Sequence, residues 1–175
     1  MSIINPVGID MTSGQLRSLN QNDILTTSSK FCDAYFSDSP SILSQDAFTT
    51  LSFNVEAYNT VGTALHSTTV NPSRFIAPFP GIYYVIATVY WPVNSSGIRS
   101  MQFLVSNSGG TPIGGVEPNL INPTSGGTVT IQTAPWAFPL NVGDYVQLQV
   151  KQTSGSTLSM VAAGSRFMFM YIMPK

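Results

Sequence analysis

A long apolar run occupies the middle of the chain, Ile82-Tyr83-Tyr84-Val85-Ile86-Ala87-Thr88-Val89-Tyr90-Trp91. A second run of the same kind lies near the end, Phe167-Met168-Phe169-Met170-Tyr171-Ile172-Met173. The first is rich in β-branched and aromatic residues, the second in aromatic residues and methionine, and aromatic and β-branched residues favour strands. Successive side chains of a strand point to opposite sides, so neither run offers a face suited to water.

The second face of each predicted strand must be covered. In a two-layer sandwich one face packs against the opposite sheet. An exposed apolar patch of this size exceeds what soluble monomers tolerate, so we expect the other face to be buried between subunits. The candidate interface residues are Tyr83, Val85, Val89, Trp91, Phe167, Phe169 and Tyr171. The alternative is that loops or the N-terminal segment cover these faces within one chain.

From about residue 47 onward the rest of the chain alternates apolar and polar residues with a period of two. This pattern predicts strands with one buried face, and turn clusters rich in Gly, Pro, Asn and Ser separate them. Short strands at such intervals indicate an all-β antiparallel sandwich or barrel, and no segment has a convincing helical period. The apolar positions of four such strands are Leu51, Phe53, Val55 and Ala57; Met101, Phe103 and Val105; Val129 and Ile131; and Val146, Leu148 and Val150.

The charge content excludes several classes of partner. Charged residues make up 9% of the chain and the formal net charge is −1. The seven basic residues are scattered, so there is no basic stripe for a phosphate backbone, and we expect no nucleic-acid partner.

No stretch approaches about 18 consecutive apolar residues, so we expect no membrane-spanning helix. The opening residues 1–6 lack the basic region and apolar run of a secretory signal.

Residues 1–45 differ from the remainder. They contain short apolar pairs in a polar background and sustain neither a helical nor a strand period. We therefore expect two parts: an extended N-terminal arm over residues 1–45 and a β-sandwich over residues 46–175.

Residues that carry chemistry are scarce. The sole histidine, His66, has no nucleophile motif near it and is interpreted as a loop or turn residue. The single cysteine, Cys32, is interpreted as a small, half-buried apolar residue. The eight acidic residues never pair at close spacing, although distant acids can still meet in space. We expect no catalytic site, no metal site and no cofactor.

Three blocks resemble one known family, the trimeric jelly-roll domains shared by complement globular heads and tumour-necrosis-factor-like proteins. Residues 74–85 are similar to the family's F-x-A-P-x-x-G-x-Y-x-F strand entry. Residues 140–148 resemble its L-x-x-G-D-x-V-x-L hairpin, and residues 165–172 resemble its closing strand. The resemblance covers about residues 47–173. It implies a jelly roll that forms a homotrimer, with the two double-sided strands near the threefold axis.

The chain also departs from that family's pattern. The collagen-like stalk that often precedes the head is missing from residues 1–45, and Met168 stands where the family commonly has Gly. Asp144 and Glu117 are isolated in sequence, so the calcium site of some members is not transferred.

We expect a structural virion protein, a homotrimeric decoration (cement) protein on the capsid surface of a bacteriophage. Its partners would be itself and the major capsid protein. Three arms on one trimer would multiply weak docking contacts, and each arm could add strands to exposed sheet edges. The predicted docking residues of the arm are Ile3, Ile4, Val7, Ile9, Leu16 and Leu19.

Two other functions remain open. The chain could be the receptor-binding head of a phage tail fibre, in which amide-rich loops such as residues 107–127 bind a host glycan or protein. A non-viral, exported ligand-binding head would need an export route and a stalk, and neither is visible in the sequence.

Overall fold

The computed structural model describes residues 7–10, 15–18, 30–123 and 130–175. Strands dominate these residues, and one short 3-10 turn, Gly62–Ala64, interrupts them. None of the described residues forms a helix with the length and apolar character needed to cross a membrane. The strands are β1 (Val7–Asp10), β2 (Gln15–Ser18), β3 (Phe31–Tyr35), β4 (Ser41–Ile42), β5 (Gln45–Thr50), β6 (Val55–Asn59), β7 (Phe75–Ile76), β8 (Gly81–Trp91), β9 (Arg99–Ser106), β10 (Pro112–Ile121), β11 (Thr130–Leu140), β12 (Tyr145–Gln152), β13 (Leu158–Ser159) and β14 (Arg166–Met173).

Two antiparallel sheets form a sandwich. The larger sheet has the strand order β11-β8-β14-β3-β6, and the smaller has the order β10-β9-β12-β7. Two short ladders, β4–β13 and β1–β2, complete the topology. Strands that are adjacent in a sheet are often far apart in the sequence; β14, for example, lies between β8 and β3. The predicted all-β antiparallel sandwich is therefore confirmed.

The core between the sheets is aromatic. The ring of Phe167 lies 4.2 Å from that of Phe75, 5.8 Å from Phe53 and 5.9 Å from Phe103 (centroid to centroid). Phe169 stacks on Tyr83 at 4.8 Å. All of these side chains are fully buried. Strands of both sheets contribute rings to this cluster, so its packing holds the two layers together.

The Gly-Asp turn connects β11 of the larger sheet to β12 of the smaller sheet, so these two strands do not form the hairpin that the resemblance implied. Gly143 has a φ of +83°, a conformation that glycine adopts without steric cost. The buried Asp144 carboxylate accepts a hydrogen bond from the Asn141 amide at 2.8 Å. Gly143 also donates to the Ala77 carbonyl at 2.9 Å, which ties the turn to the segment that leads into β8. Asp144 thus has a structural partner within the turn.

The structure places the start of the sandwich earlier than the predicted boundary between residues 45 and 46. Strand β3 pairs with β14 on one side and β6 on the other, inside the larger sheet. Cys32, Phe36 and Ile42 are buried in the core. Residues 31–44 therefore belong to the sandwich and not to an arm.

Two predicted strands differ in detail. The predicted strand over residues 51–57 is interrupted, because residues 51–54 are not in a strand and β6 begins at Val55. Leu51 and Phe53 are buried as expected, but Ala57 is exposed. The burial pattern of β11 is the opposite of the predicted one: Gln132 is fully buried, whereas Ile131 is 51% exposed. The polar side chain lies inside because its amide bonds to groups of the core, described below.

Candidate functional site

The predicted subunit-interface residues lie mostly on the inner face of the larger sheet. Tyr83, Val85, Val89 and Trp91 of β8 are at most 1% exposed, and so are Phe167 and Phe169 of β14. Side chains without exposed surface in one chain cannot form a contact between chains, so the predicted interface was wrong for these six residues. Only Tyr171 of the predicted set keeps partial exposure.

The opposite face of the same two strands is also apolar. In β8 the even-numbered positions are half-buried, whereas every odd-numbered position is buried. The register sets Ile86 beside Met168 and Tyr84 beside Met170. Strand β3 extends this surface, because its register sets Phe31 beside Met170 and Tyr35 beside Arg166. We call this surface the outer face; its residues are Phe31, Asp33, Tyr35, Ile82, Tyr84, Ile86, Thr88, Tyr90, Arg166, Met168 and Met170.

The two charged residues of the outer face are paired with each other. Arg166 donates from its Nε to Asp33 Oδ1 at 3.0 Å and from its second guanidinium nitrogen to Asp33 Oδ2. The hydroxyls of Thr88 and Thr133 lie 3.2 Å apart, within hydrogen-bond distance. A surface whose charges are already neutralised can be covered by protein at a lower desolvation cost than one with free charges.

The outer face is suited to protein contact and not to catalysis. It is formed by the side chains on one side of three neighbouring strands. These side chains include tyrosine and methionine, two residue types that are enriched in interfaces. Sequence reasoning found the double-sided strands but chose, as interface residues, the side chains that are buried within one chain. The missing signal was the register with the neighbouring strands, which a single sequence does not contain.

A second site lies inside the sandwich. It consists of Cys32 on β3, Glu56 on β6 and His66 in the loop before β7. The thiol sulfur, a carboxylate oxygen and an imidazole nitrogen all lie within 4.8 Å of one another. Cys32 and His66 are fully buried, and the Glu56 side chain is 25% exposed. We call these three residues the Cys-Glu-His cluster.

Both imidazole nitrogens of His66 face oxygen acceptors. Nδ1 lies 2.8 Å from Glu56 Oε1 and Nε2 lies 3.1 Å from the Pro72 carbonyl. The carbonyl can only accept, so Nε2 carries a proton and donates it. The Glu56 carboxylate is also an acceptor, so a hydrogen or a cation must lie between Nδ1 and Oε1 at this distance. The ring is also stacked on Phe75, with 4.4 Å between centroids, so its orientation is fixed.

Cys32 is not activated as a nucleophile. The pKa of its thiol is raised to about 12, chiefly by burial and also by the nearby carboxylates of Glu56 and Asp33. Reactive cysteines have a lowered pKa and a cationic neighbour. The cluster therefore lacks the arrangement of a cysteine hydrolase, although it contains the three residue types.

No sequence motif indicated the Cys-Glu-His cluster. Its members are separated by 24 and 10 positions, with no ligand spacing of a known kind. The pairing of β3 with β6 brings Cys32 opposite Asn59 and Ala34 opposite Glu56, and a bulge lies between these pairs. His66 is a loop residue, as expected, but its burial was not foreseen.

A surface pocket of about 420 Å³ lies at one end of the larger sheet. Lys30, Phe79, Pro80, Tyr171 and Pro174 line it. The Lys30 ammonium lies 4.9 Å from the centroid of the Phe79 ring, and Phe79 meets Tyr171 edge to face at 6.3 Å. The pocket thus combines two aromatic rings with one cation.

The predicted docking arm is described only in part. Val7 and Ile9 lie in β1 and Leu16 lies in β2, and these strands form an antiparallel hairpin in which Ile9 pairs with Leu16. Ile3, Ile4 and Leu19 lie outside the described residues. The hairpin is a two-stranded sheet of its own, with no third strand among the residues that the structure describes.

Comparison with known proteins supports the fold. No protein-family model and no curated protein sequence matches the chain. Among solved structures, murine APRIL at pH 8.0 aligns with a TM-score of 0.58 and 12% identity, over 82% of this chain and 99% of that one. The globular domain of zebrafish complement 1qA gives 0.54 and 10%, over 83% and 99%. The Eiger TNF of S. frugiperda gives 0.53 and 17%, over 84% and 93%. At these identities the likeness establishes a shared jelly-roll fold.

Proposed function

We propose that the chain is a non-catalytic head that assembles as a homotrimer through the outer face of its larger sheet. The observation that carries the proposal is the outward row of Tyr84, Ile86, Met168 and Met170, which the described residues of one chain leave only half-buried. We propose three copies because the sequence resembles a family of trimeric heads.

The energetics favour association through this face. Each apolar side chain that becomes fully buried contributes roughly 1.5–3 kcal/mol. Stable interfaces bury about 1,200–2,000 Å² in total, and the outer face spans three neighbouring strands. In a threefold arrangement every copy offers the same sheet to the axis, so the paired Asp33 and Arg166 recur around it.

The test is the native mass of the purified full chain by light scattering, for the wild type and for two matched variants. Ile86→Glu places a carboxylate at the centre of the outer face. Ile113→Glu makes the same change on β10, where Ile113 is 53% exposed. We expect three chains for the wild type and for Ile113→Glu, and one chain for Ile86→Glu, because an unpaired charge is costly to bury.

Circular dichroism reports whether Ile86→Glu still folds. A folded monomeric variant supports the proposal. A wild-type chain that remains monomeric at all concentrations contradicts it, and so does an Ile86→Glu variant that retains the mass of three chains.

We further propose that the trimer decorates a phage capsid and docks through its N-terminal segment. The β1–β2 hairpin supports this idea, since an isolated two-stranded hairpin is at best marginally stable and has two free edges. Strand addition at such an edge is a common mode of recognition. Three hairpins on one trimer would reinforce each other through effective concentration.

The docking test compares the intact chain with a chain that lacks residues 1–29, by co-sedimentation with undecorated capsid shells. The deletion stops there because β3 begins at Phe31 and belongs to the sandwich. We expect the shortened chain to remain a trimer and to lose at least about tenfold in shell binding. Equal binding by the two chains would overturn the docking proposal and leave the trimer proposal intact.

The alternative, a receptor-binding head at a tail-fibre tip, is favoured by the pocket around Phe79 and Tyr171. Aromatic faces beside a cation are suited to stacking on sugars and to polar contacts with them. Phe79→Ala would then abolish binding to host cells without changing the native mass. Antibody labelling of virions separates the two locations, because label on the head supports decoration and label confined to the tail supports the alternative.

A further inference from the structure

We propose that the Cys-Glu-His cluster is a binding site for one Zn²⁺ ion, ligated by Cys32 Sγ, the Glu56 carboxylate and His66 Nδ1. This site is independent of trimer formation, because Cys32 and His66 are buried within a single chain. It would secure the edge of the larger sheet, where β3 meets β6.

The set of donor atoms selects the metal. Thiolate and imidazole are preferred by zinc and disfavoured by calcium and magnesium, which bind oxygen ligands. A thiolate, a carboxylate and a neutral imidazole carry two negative charges in total, so a divalent ion makes the buried site neutral.

The geometry requires only small movements. Zinc bonds of about 2.0–2.3 Å at tetrahedral angles place ligand atoms roughly 3.2–3.8 Å apart. The Nδ1-to-Oε1 distance is now 2.8 Å, and the three ligand atoms lie within 4.8 Å of one another. Side-chain shifts of about an ångström would bring all three into range. The partly exposed Glu56 gives an ion a route in and leaves space for a water as fourth ligand.

The residues around the cluster hold the ligands in the orientation that a metal needs. Metal-binding histidines usually donate their other N–H to a carbonyl or carboxylate, and His66 donates from Nε2 to the Pro72 carbonyl. Ligating carboxylates are usually hydrogen-bonded as well, and Glu56 Oε1 accepts from Asn59 Nδ2 at 3.0 Å. Asn59 is itself held by a bond to the Gly62 carbonyl at 2.9 Å.

A chain without a tag, stripped with chelator and titrated with zinc chloride, tests the proposal. We expect one zinc per chain by elemental analysis, and a thiolate-to-metal absorption band when Co²⁺ replaces zinc. The Tm should rise by roughly 5–10 °C at a zinc concentration about 100-fold above Kd. Magnesium at the same concentration should leave the Tm unchanged.

Three variants assign the ligands. Cys32→Ala and Glu56→Gln should each weaken zinc binding by at least about tenfold, and Cys32→Ala should also abolish the cobalt band. Asp38→Asn is the control, because Asp38 is exposed and lies outside the cluster, and this variant should bind zinc like the wild type. If Cys32→Ala does not fold, the proposal is tested by the zinc affinity of Glu56→Gln and by the cobalt band of the wild type.

Absence of bound zinc in the wild type would overturn the proposal, as would equal zinc binding by Cys32→Ala. In either case His66 and Glu56 share a proton and act only as a buried hydrogen-bonded pair.

Discussion

The two faces of β8 and β14 are both largely apolar, but their surroundings differ. On the inner face, the rings of Phe167 and Phe169 pack against rings of the opposite sheet, Tyr83 stacks on Phe169, and none of the three has exposed surface. On the outer face, Ile86 and Met168 lie side by side and no second layer of the described chain covers them completely. The difference teaches that apolar character alone does not say which side of a strand forms the core.

The inner face is predominantly aromatic and the outer face contains more methionine and isoleucine. Rigid rings suit a core with one defined packing arrangement, whereas methionine adapts to surfaces of different shape. The distribution agrees with a folding core on one side and an association surface on the other. Four predictions test this comparison.

The largest effect should come from removing a ring of the core. Phe167→Ala removes contacts with Phe53, Phe75 and Phe103 and should lower the free energy of unfolding by about 3–5 kcal/mol. Met168→Ala, its neighbour on the outer face, should cost clearly less when both are measured by urea denaturation at low protein concentration. Equal losses would mean that the two faces do not differ in this way.

The second prediction concerns β11, whose buried and exposed positions are the opposite of those expected. Trp91 Nε1 donates to Gln132 Oε1 at 2.6 Å, and Gln132 donates to the Arg99 carbonyl at 3.2 Å. Gln132→Leu should destabilise the chain by about 1–3 kcal/mol, because it leaves the buried indole N–H without this acceptor. Ile131→Thr should change stability by no more than about 0.5 kcal/mol. Thermal unfolding of both variants checks the pair, and the opposite order would contradict the assigned faces.

Cys32 of the inner face should make stability depend on alkaline pH. Its pKa is raised from 9.0 to about 12 in the folded chain. Above about pH 9 the unfolded chain releases this proton while the folded chain keeps it, so stability falls as the pH rises towards 12. In chelator-treated protein the loss at pH 10 should be about 1.4 kcal/mol.

Urea denaturation at pH 8 and pH 10 measures this loss, with Cys32→Ala as the reference. The tyrosines titrate in both proteins and cancel in the difference. Identical pH dependence in the two proteins would show that the thiol does not contribute.

The smallest effect should come from the ion pair of the outer face. Asp33→Asn weakens the bidentate contact with Arg166, whose side chain is 46% exposed. In the monomer we expect a loss of no more than about 1 kcal/mol, which added salt should reduce. In the assembled protein the loss should be larger, because water is excluded. The effect of Asp33→Asn is measured in the Ile86→Glu background and in the wild-type background, each in dilute and in concentrated samples. Equal losses of stability would place the ion pair outside the interface.

Much of the fold could be read from local patterns. The alternation of Met101, Phe103 and Val105, and that of Val146, Leu148 and Val150, predicted the buried faces of β9 and β12 correctly. Local patterns failed where tertiary contacts dominate. Gln132 is inside because it bonds to Trp91, and residues 31–35 form a central strand because β14 and β6 flank them.

The candidate sites were less accessible to sequence reasoning. The apolar composition of residues 82–91 and 167–173 was sufficient to predict two strands that are largely apolar on both faces. Which side chains belong to each face depends on register, since a shift of one residue moves every side chain to the other side of the sheet. The Cys-Glu-His cluster has no local pattern at all, because its members come from three separate elements.

The sequence by itself therefore determined the strand-rich class, the antiparallel turns and the presence of two double-sided strands. These properties follow from steric preferences and from periodicity within a few residues of chain. Only the tertiary structure decided which face of β8 and β14 is the core, where the sandwich begins, and that Cys32, Glu56 and His66 meet. Those outcomes depend on contacts between residues far apart in the chain, and the free energy of such contacts is set by which strands become neighbours.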